Sequence, residues 1–130
     1  MSILSLWAPV IIQMAIIFGA SSLSDPGPLP GGMSDKGGHL IGYVILSVLL
    51  LRALSRGRIA GVTWRTALLA ILGSTLYGVS DELHQSFVPG RTPDVYDVMA
   101  DAAGGCVGSA LGGILRIIVQ WRTVGPSASE

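Results

Sequence analysis

The chain alternates between long apolar stretches and short polar breaks. Each stretch is close to the ~20 residues that an α-helix needs to cross a bilayer. The stretches run from about residue 3 to 20, 39 to 54, 64 to 83 and 98 to 121. The second is long enough only if its polar first turn, from Asp35, lies at the membrane interface. The pattern therefore predicts an all-α integral membrane protein, a compact bundle of four transmembrane helices.

The breaks carry signals for where the helices stop and start. Residues 25–32 hold three prolines and three glycines, a segment that we predict cannot be helical. Ser34 or Asp35 can then cap the second helix. The fourth helix can open with Thr92 as its N-cap and Pro93 as its first helical residue.

The first apolar stretch has a second interpretation, a cleaved signal peptide. Residues 19–22 are small enough for cleavage, but residues 1–7 hold no Lys or Arg, so a retained helix fits better. No repeat or second domain is visible. We expect one transmembrane domain over residues 1–124 and a short disordered tail over residues 125–130.

Composition supports a membrane protein and excludes other classes. Half of the residues are hydrophobic and 12% are charged, against about 25% in soluble domains. The eight Lys and Arg residues form no basic patch of the kind that binds nucleic acid. The single cysteine, Cys106, excludes an intrachain disulfide.

The basic residues are distributed unevenly over the predicted connections. Six of the eight lie between the second and third helices or near the C-terminus: Arg52, Arg56, Arg58, Arg65, Arg116 and Arg122. The positive-inside rule assigns this side to the cytoplasm, so we expect both termini to be cytoplasmic in the cell membrane. The acidic residues gather at the other connections and are expected to face outward.

Polar residues gather near the outer ends of helices two, three and four, mostly three or four positions apart and hence on one helical face. The sets are Asp35, Lys36, His39 and Tyr43; Tyr77, Asp81, Glu82, His84 and Gln85; Asp94, Asp97 and Asp101; with Arg91 in the last connection. An ionisable group at the bilayer centre costs about 2.5–3.5 kcal/mol, so such groups usually face a wet cavity or a protein interior. We expect the sets to converge in one polar pocket.

The expected pocket carries groups for acid/base chemistry and for binding. The candidate catalytic residues are His39, Asp81, Glu82, His84, Asp97 and Asp101. Histidine exchanges protons near neutral pH, and carboxylates act as bases or as oxygen ligands of a divalent cation. The candidate substrate-binding residues are Lys36, Tyr43, Gln85 and Arg91, whose basic members would hold a phosphate or carboxylate. No dense ligand motif such as H-E-x-x-H occurs, so a metal cofactor stays undetermined.

Each polar residue also has an ordinary structural explanation. Carboxylates in the first turn of a helix are favoured by its dipole, and Lys36 with Asp35, or Arg91 with Glu82, would make interfacial ion pairs. The set as a whole, two histidines with several carboxylates on one side, favours a functional site.

The fourth helix carries a ridge of small residues at spacing four: Ala100, Gly104, Gly108 and Gly112. Such a ridge lets another helix approach closely. We prefer packing within the chain to homodimerisation, because a four-helix bundle already needs such contacts. The oligomeric state stays open.

Three segments resemble, in order, the motifs of VanZ-like membrane proteins. They are DKGGHLIGY at 35–43, YGVSDELHQSFVPGR at 77–91 and DVMADAAG at 97–104. Many members of that family carry Asn where this chain has Asp101, a departure that adds an acid to the expected pocket.

This resemblance implies a setting rather than a reaction. The family is named after a protein associated with resistance to teicoplanin, a glycopeptide that acts on bacterial cell-wall precursors outside the membrane. We expect a membrane-embedded enzyme or binding protein for an amphipathic or lipid-linked cell-envelope molecule at the outer leaflet. One alternative is a non-catalytic protein that binds lipid or antibiotic. Another is a proton or cation pathway, which is disfavoured because the acidic trail does not continue through the inner halves of the helices.

Overall fold

The computed structural model describes residues 1–25, 27 and 30–123, and in that part of the chain it contains helices and turns but no strand. The helices are α1 (Ile3–Ser21), α2 (Asp35–Leu54), α3 (Trp64–Gln85) and α4 (Val95–Thr123). Short 3₁₀ turns precede α2 and α3, at Pro30–Gly32 and Ile59–Gly61. The predicted all-α class is confirmed. The predicted tail, residues 125–130, lies outside the described residues.

Three of these helices are long and apolar enough to cross a membrane, namely α1, α2 and α4. Helix α3 has 22 residues, which is long enough. Its polar last turns, from Asp81 to Gln85, lower its hydropathy below that of the other helices. Of the four expected spans, three are therefore long and apolar enough to cross a membrane.

The segment before α2 holds one short ordered turn. Pro30–Gly32 form one 3₁₀ turn, in which Gly31 has a φ of 71°, a value that a glycine adopts without strain. Among the residues described there, none is α-helical and Gly31 has non-helical φ and ψ, so the prediction of a non-helical segment is confirmed apart from this single 3₁₀ turn. Ser34 caps α2 as predicted, because its Oγ accepts a hydrogen bond from the Gly37 N–H at 3.2 Å.

Helix α4 begins at Val95, two residues later than predicted. The side chain of Asp94 accepts from the second backbone N–H of the helix at 2.8 Å and so takes the capping role. The backbone N–H of Asp94 is itself bound by Glu82 at 2.9 Å, which holds this residue outside the helix. The prediction of Thr92 and Pro93 as the first two positions is wrong for this reason.

Helices α2 and α4 form the most extensive contact, through the predicted small-residue ridge. A Cβ at Gly104 would lie 2.6 Å from the Leu40 carbonyl oxygen, and one at Gly108 would lie 2.5 Å from that of Val44. The two backbones therefore touch, and the ridge packs within the chain. Buried Ser47 adds a hydrogen bond to the Gly105 carbonyl at 2.7 Å.

The helices alternate in direction, which brings the polar sets to one end of the bundle. Ser21 at the end of α1 contacts Asp81 near the end of α3, and His39 near the start of α2 contacts Asp101 near the start of α4. We call this the acidic end; its acids are Asp35, Asp81, Glu82, Asp94, Asp97 and Asp101. The opposite, arginine end carries Arg52, Arg56, Arg58, Arg65 and Arg116.

The outer surface of the bundle is apolar. Large side chains such as Ile11, Ile12 and Ile16 of α1 are each 59% exposed, while Val10 and Leu46 are buried in the core. Soluble monomers rarely expose such continuous apolar surface. The hydrocarbon chains of a bilayer would cover this apolar surface without exposing it to water.

Candidate functional site

A cleft of about 150 Å³ opens at the acidic end, between α1, α2 and α3. One part of its wall is apolar and includes Ile17 and Ala20 of α1. The other part is polar and includes His39, Asp81 and Arg91. The cleft therefore presents charge and apolar surface side by side.

His39 lies between carboxylates of two different helices. Its Nδ1 is 2.9 Å from Oδ1 of Asp101 on α4, and its Nε2 is 3.9 Å from Oε1 of Glu82 on α3. Asp101 is fully buried. It fits there because Gly78 of α3 has no side chain: a Cβ at that position would lie 2.9 Å from the Asp101 Cβ.

The two carboxylates of α3 are held by neutral donors. Ser21 Oγ donates to Oδ1 of Asp81 at 2.5 Å, and Gln85 Nε2 lies 3.2 Å from both Asp81 Oδ2 and Glu82 Oε1. The other Glu82 oxygen accepts from the Asp94 N–H. Within the part of the chain that the structure describes, neither carboxylate pairs with a Lys or Arg.

Lys36 forms a separate ion-pair group at the rim of the bundle. Its Nζ donates to Asp94 Oδ2 at 2.8 Å and to Asp97 Oδ1 at 3.3 Å. The Lys36 ammonium, mainly through its hydrogen bond, lowers the pKa of the Asp94 carboxyl below its usual value. Because α2 and α4 start side by side, Lys36 reaches across to α4. The expected pair of Lys36 with Asp35 is wrong.

Arg91 also has a different partner from the one expected. Its nearest carboxylate oxygen is Oδ2 of Asp35, 4.0 Å from a guanidinium nitrogen, and not Glu82. Its Nε is buried and has no hydrogen-bond partner among the described residues. Arg91 lines the cleft, so a ligand there can reach it.

Tyr43 completes the polar interior beside His39. The two rings are nearly parallel, with centroids 6.3 Å apart. Tyr43 is 1% exposed, yet its hydroxyl has no partner within the described part of the structure. A buried hydroxyl without a protein partner is uncommon, and this one is free to bond a polar group that enters the cleft.

His84 is the predicted site residue that the structure sets apart. Its ring stacks on Phe18 of α1, with centroids 4.4 Å apart, and its Nε2 is 3.0 Å from Ser22 Oγ. At about 100° per residue, His84 is turned away from Glu82 around α3. The other candidate residues lie at the acidic end: Lys36, His39, Tyr43, Asp81, Glu82, Gln85, Arg91, Asp97 and Asp101.

A comparison with known protein families identifies the family of this chain. A sequence model of the VanZ/LLP1 family matches residues 10–116. The chain belongs to the VanZ/LLP1 family. This confirms the resemblance, and the matched region includes all three motifs and the site residues just described. Neither the curated proteins nor the solved structures gave a match.

One residue that this VanZ/LLP1 chain places in its site was missed by sequence reasoning. Ser21 was considered only as part of a cleavage site, whereas it is buried and donates to Asp81. The available signal is a polar residue directly after the C-terminal end of the first apolar stretch. Its partner Asp81 lies on α3, and local sequence pattern does not show which residues of different helices meet.

Two groups at the acidic end offer three metal-binding side chains each. They are His39 with Asp81 and Glu82, and His39 with Asp35 and Asp97; in each, the ligand atoms lie within 4.8 Å of one another. In the first group, Asp81 and Glu82 are buried and His39 is partly buried. In the second, Asp35 is exposed and Asp97 already accepts from Lys36. The first group is therefore the better metal candidate.

Proposed function

We propose that this VanZ/LLP1 family member is a four-span membrane protein that binds, at its acidic end, the anionic head of an amphipathic or lipid-linked cell-envelope molecule. Counting α3 as a span is supported by its outward leucines. Leu68, Leu69, Leu72 and Leu76 are all between 45% and 67% exposed, on a helix whose other side packs against α2 and α4. A bilayer would cover these leucines.

The proposed orientation places the acidic end outside and both termini in the cytoplasm. It is supported by charge: arginines collect at one end of the bundle and carboxylates at the other. Arginine near the ends of spans is retained on the cytoplasmic side. Cell-envelope substrates would then reach the cleft from the outer leaflet.

The proposed ligand class rests on one observation, the amphipathic lining of the cleft. Ile17 and Ala20 offer an apolar wall on the α1 side, and Arg91 is the one Lys or Arg side chain that lines the described cleft. Drug-sized pockets are about 300–1,000 Å³, so this smaller space suits a head group whose chain extends into the bilayer. Lys36 is bound to Asp94 and Asp97, and we assign it to the rim instead of to the ligand.

His39 is the group best placed for chemistry on such a ligand. An ionised Asp101 can only accept, so it holds the proton on Nδ1 and leaves Nε2 facing the α3 carboxylates. This arrangement leaves Nε2 as the ring nitrogen that can act on a ligand, by taking up a proton or by holding a cation. A purely binding role uses the same cleft, and teicoplanin, itself amphipathic, is the second candidate ligand.

A matched pair of lipids tests the proposal. Purified protein would be melted with a polyprenyl phosphate and with the polyprenol of the same chain length, with teicoplanin as a third arm. We expect the phosphate to raise the Tm and the alcohol to leave it unchanged, because a ligand that binds only the folded state stabilises it. Arg91→Gln should lose the difference. Equal shifts from both lipids would refute recognition of the head group, and a shift from teicoplanin alone would favour the antibiotic-binding alternative.

A further inference from the structure

We propose that His39, Asp81 and Glu82 form a binding site for a divalent transition-metal ion. The ligands would be Nε2 of His39 and one oxygen from each carboxylate. This inference rests on the proposed function, because His39 and Asp81 line the same cleft. It adds the cofactor that the sequence left undetermined.

The spacing of the three side chains suits one ion. Nitrogen and oxygen ligands lie about 2.0–2.2 Å from zinc, so two ligand atoms of one ion are at most about 4.4 Å apart. The three ligand atoms lie within 4.8 Å of one another, and Nε2 of His39 is 3.9 Å from Oε1 of Glu82. Tetrahedral zinc holds its ligand atoms about 3.4 Å apart, so side-chain shifts of up to about 1 Å would complete the site.

His39 is oriented as a metal ligand usually is. Metal-binding histidines typically donate their other ring N–H to a carboxylate, which fixes the tautomer and the ring plane. Asp101 supplies that carboxylate, 2.9 Å from Nδ1 and fully buried. Asp101 is thus a positioning residue, and the free Nε2 lone pair is directed at Glu82.

The local charge also calls for a cation. Asp81, Glu82 and Asp101 are each at most 6% exposed. Their neighbours are neutral donors and a single imidazole, while Lys36 is bound elsewhere and Arg91 lies nearest Asp35. Buried carboxylates without a counter-charge are strongly unfavourable. A divalent ion would neutralise most of this charge.

Tyr43 provides an independent indication of a further polar group in the cleft. Its hydroxyl is buried and has no partner within the described residues, although the side chain lines the cleft beside His39. Metal sites with three protein ligands keep an open position for water. Such a water would give the hydroxyl a partner. The imidazole ligand favours zinc over calcium or magnesium, and the two carboxylates also suit manganese.

Metal content of the wild-type protein is the decisive measurement. Protein stripped with EDTA would be incubated with Zn²⁺ or Mn²⁺, passed through a desalting column and analysed by mass spectrometry of its metals. We expect about one ion per folded chain, and a rise in Tm of about 5 °C or more, as for any ligand that binds only the native state. Wild-type protein that retains no metal and shows no rise in Tm would overturn the proposal.

Variants locate the ion. His39→Gln and Asp81→Asn should lose it, while Asp25→Asn, the same substitution on an exposed carboxylate between α1 and α2, should keep it. Asp101→Asn should weaken binding about 10–100-fold without abolishing it, as for other groups that orient a ligand. Metal retained equally by His39→Gln and by wild type would also overturn the site. Gel filtration shows which variants are folded. If a variant is not folded, the metal content of the wild-type protein alone decides the outcome.

The lipid assay separates this inference from the proposed function. If stripped protein that rebinds no metal is still stabilised by polyprenyl phosphate, the metal site is refuted and the proposed function stands. If metal binds with the expected variant pattern but the lipid has no effect, the proposed ligand is refuted and the metal site stands.

Discussion

Asp101 of α4, which is fully buried, accepts a hydrogen bond from His39 of α2, with 2.9 Å between Oδ1 and Nδ1. This contact joins the first and third family motifs. It also explains how an acid can lie about two turns into a helix that is long and apolar enough to cross a membrane: the acid faces a partner.

The first prediction concerns that contact. Asp101→Asn keeps an oxygen that accepts from Nδ1, so it should cost at most about 1 kcal/mol of the free energy of unfolding. Asp101→Leu removes the acceptor and leaves the His39 ring N–H buried without a partner, which should cost about 3 kcal/mol or more. Denaturant melts in detergent would measure both. Equal destabilisation by the two variants would show that the contact does not stabilise the fold.

The second prediction concerns the packing of α4 on α2. Gly104→Ala would place a Cβ 2.6 Å from the Leu40 carbonyl oxygen, and overpacking of this kind should cost about 1–3 kcal/mol. Gly113→Ala on the same helix is the matched control, because nothing lies within 4 Å of its Cβ. It should be neutral or stabilise by up to about 1 kcal/mol, as alanine favours helix. Equal Tm values for the two variants would contradict the close crossing.

The third prediction concerns orientation in the membrane. Ser86→Cys at the acidic end and Ala60→Cys at the arginine end are exposed positions, and Cys106→Ala provides the background. Gly57 and Gly90 are poorer choices because their φ values, 68° and 84°, strain any side chain. A thiol reagent that cannot cross the membrane should label position 86 but not 60 in whole cells. The reverse pattern would move the cleft to the cytoplasmic side.

The fourth prediction concerns pH. Lys36 lowers the pKa of Asp94, so their pairing stabilises the protein at pH values above the usual pKa of aspartate, near 4. That contribution is lost as the pH falls through the lowered value. Asp94→Asn, which can still cap α4, should therefore have a lower Tm than wild type at pH 7. The difference should be small, because Lys36 is half exposed, and should vanish in strong acid. A difference that stays constant down to strong acid would show that the ion pair is not its cause.

The helices themselves could be read from the sequence. The apolar stretches ended within a few residues of the observed helices, and Ser34 was recognised as a cap, because these features depend on local pattern. The start of α4 could not be placed in this way. It is set by the hydrogen bond from Asp94 to Glu82, which joins two helices that only the folded chain brings together.

The composition of the site was predicted better than its contacts. Helical spacing places Asp81 and Gln85 on one face, and the structure finds them on the same cleft. Spacing says nothing of how α3 is rotated against α1, so His84 was grouped with residues from which it is turned away. For the same reason the partner of Lys36 was misassigned: the nearest acid along the chain is not the nearest in space.

The acidic cluster serves a ligand and not only the stability of the fold, and Asp81→Asn tests this claim directly. The amide has nearly the shape of the carboxylate and can still accept from Ser21. We predict that the variant elutes as a single species in detergent, with a Tm close to that of metal-free wild type, but gains no stability from Zn²⁺, because it lacks one of the three ligands. The single measurement is the rise in Tm on adding Zn²⁺ to each protein after it has been stripped with EDTA. A rise equal to that of wild type, or aggregation of the variant, would contradict a functional role for Asp81.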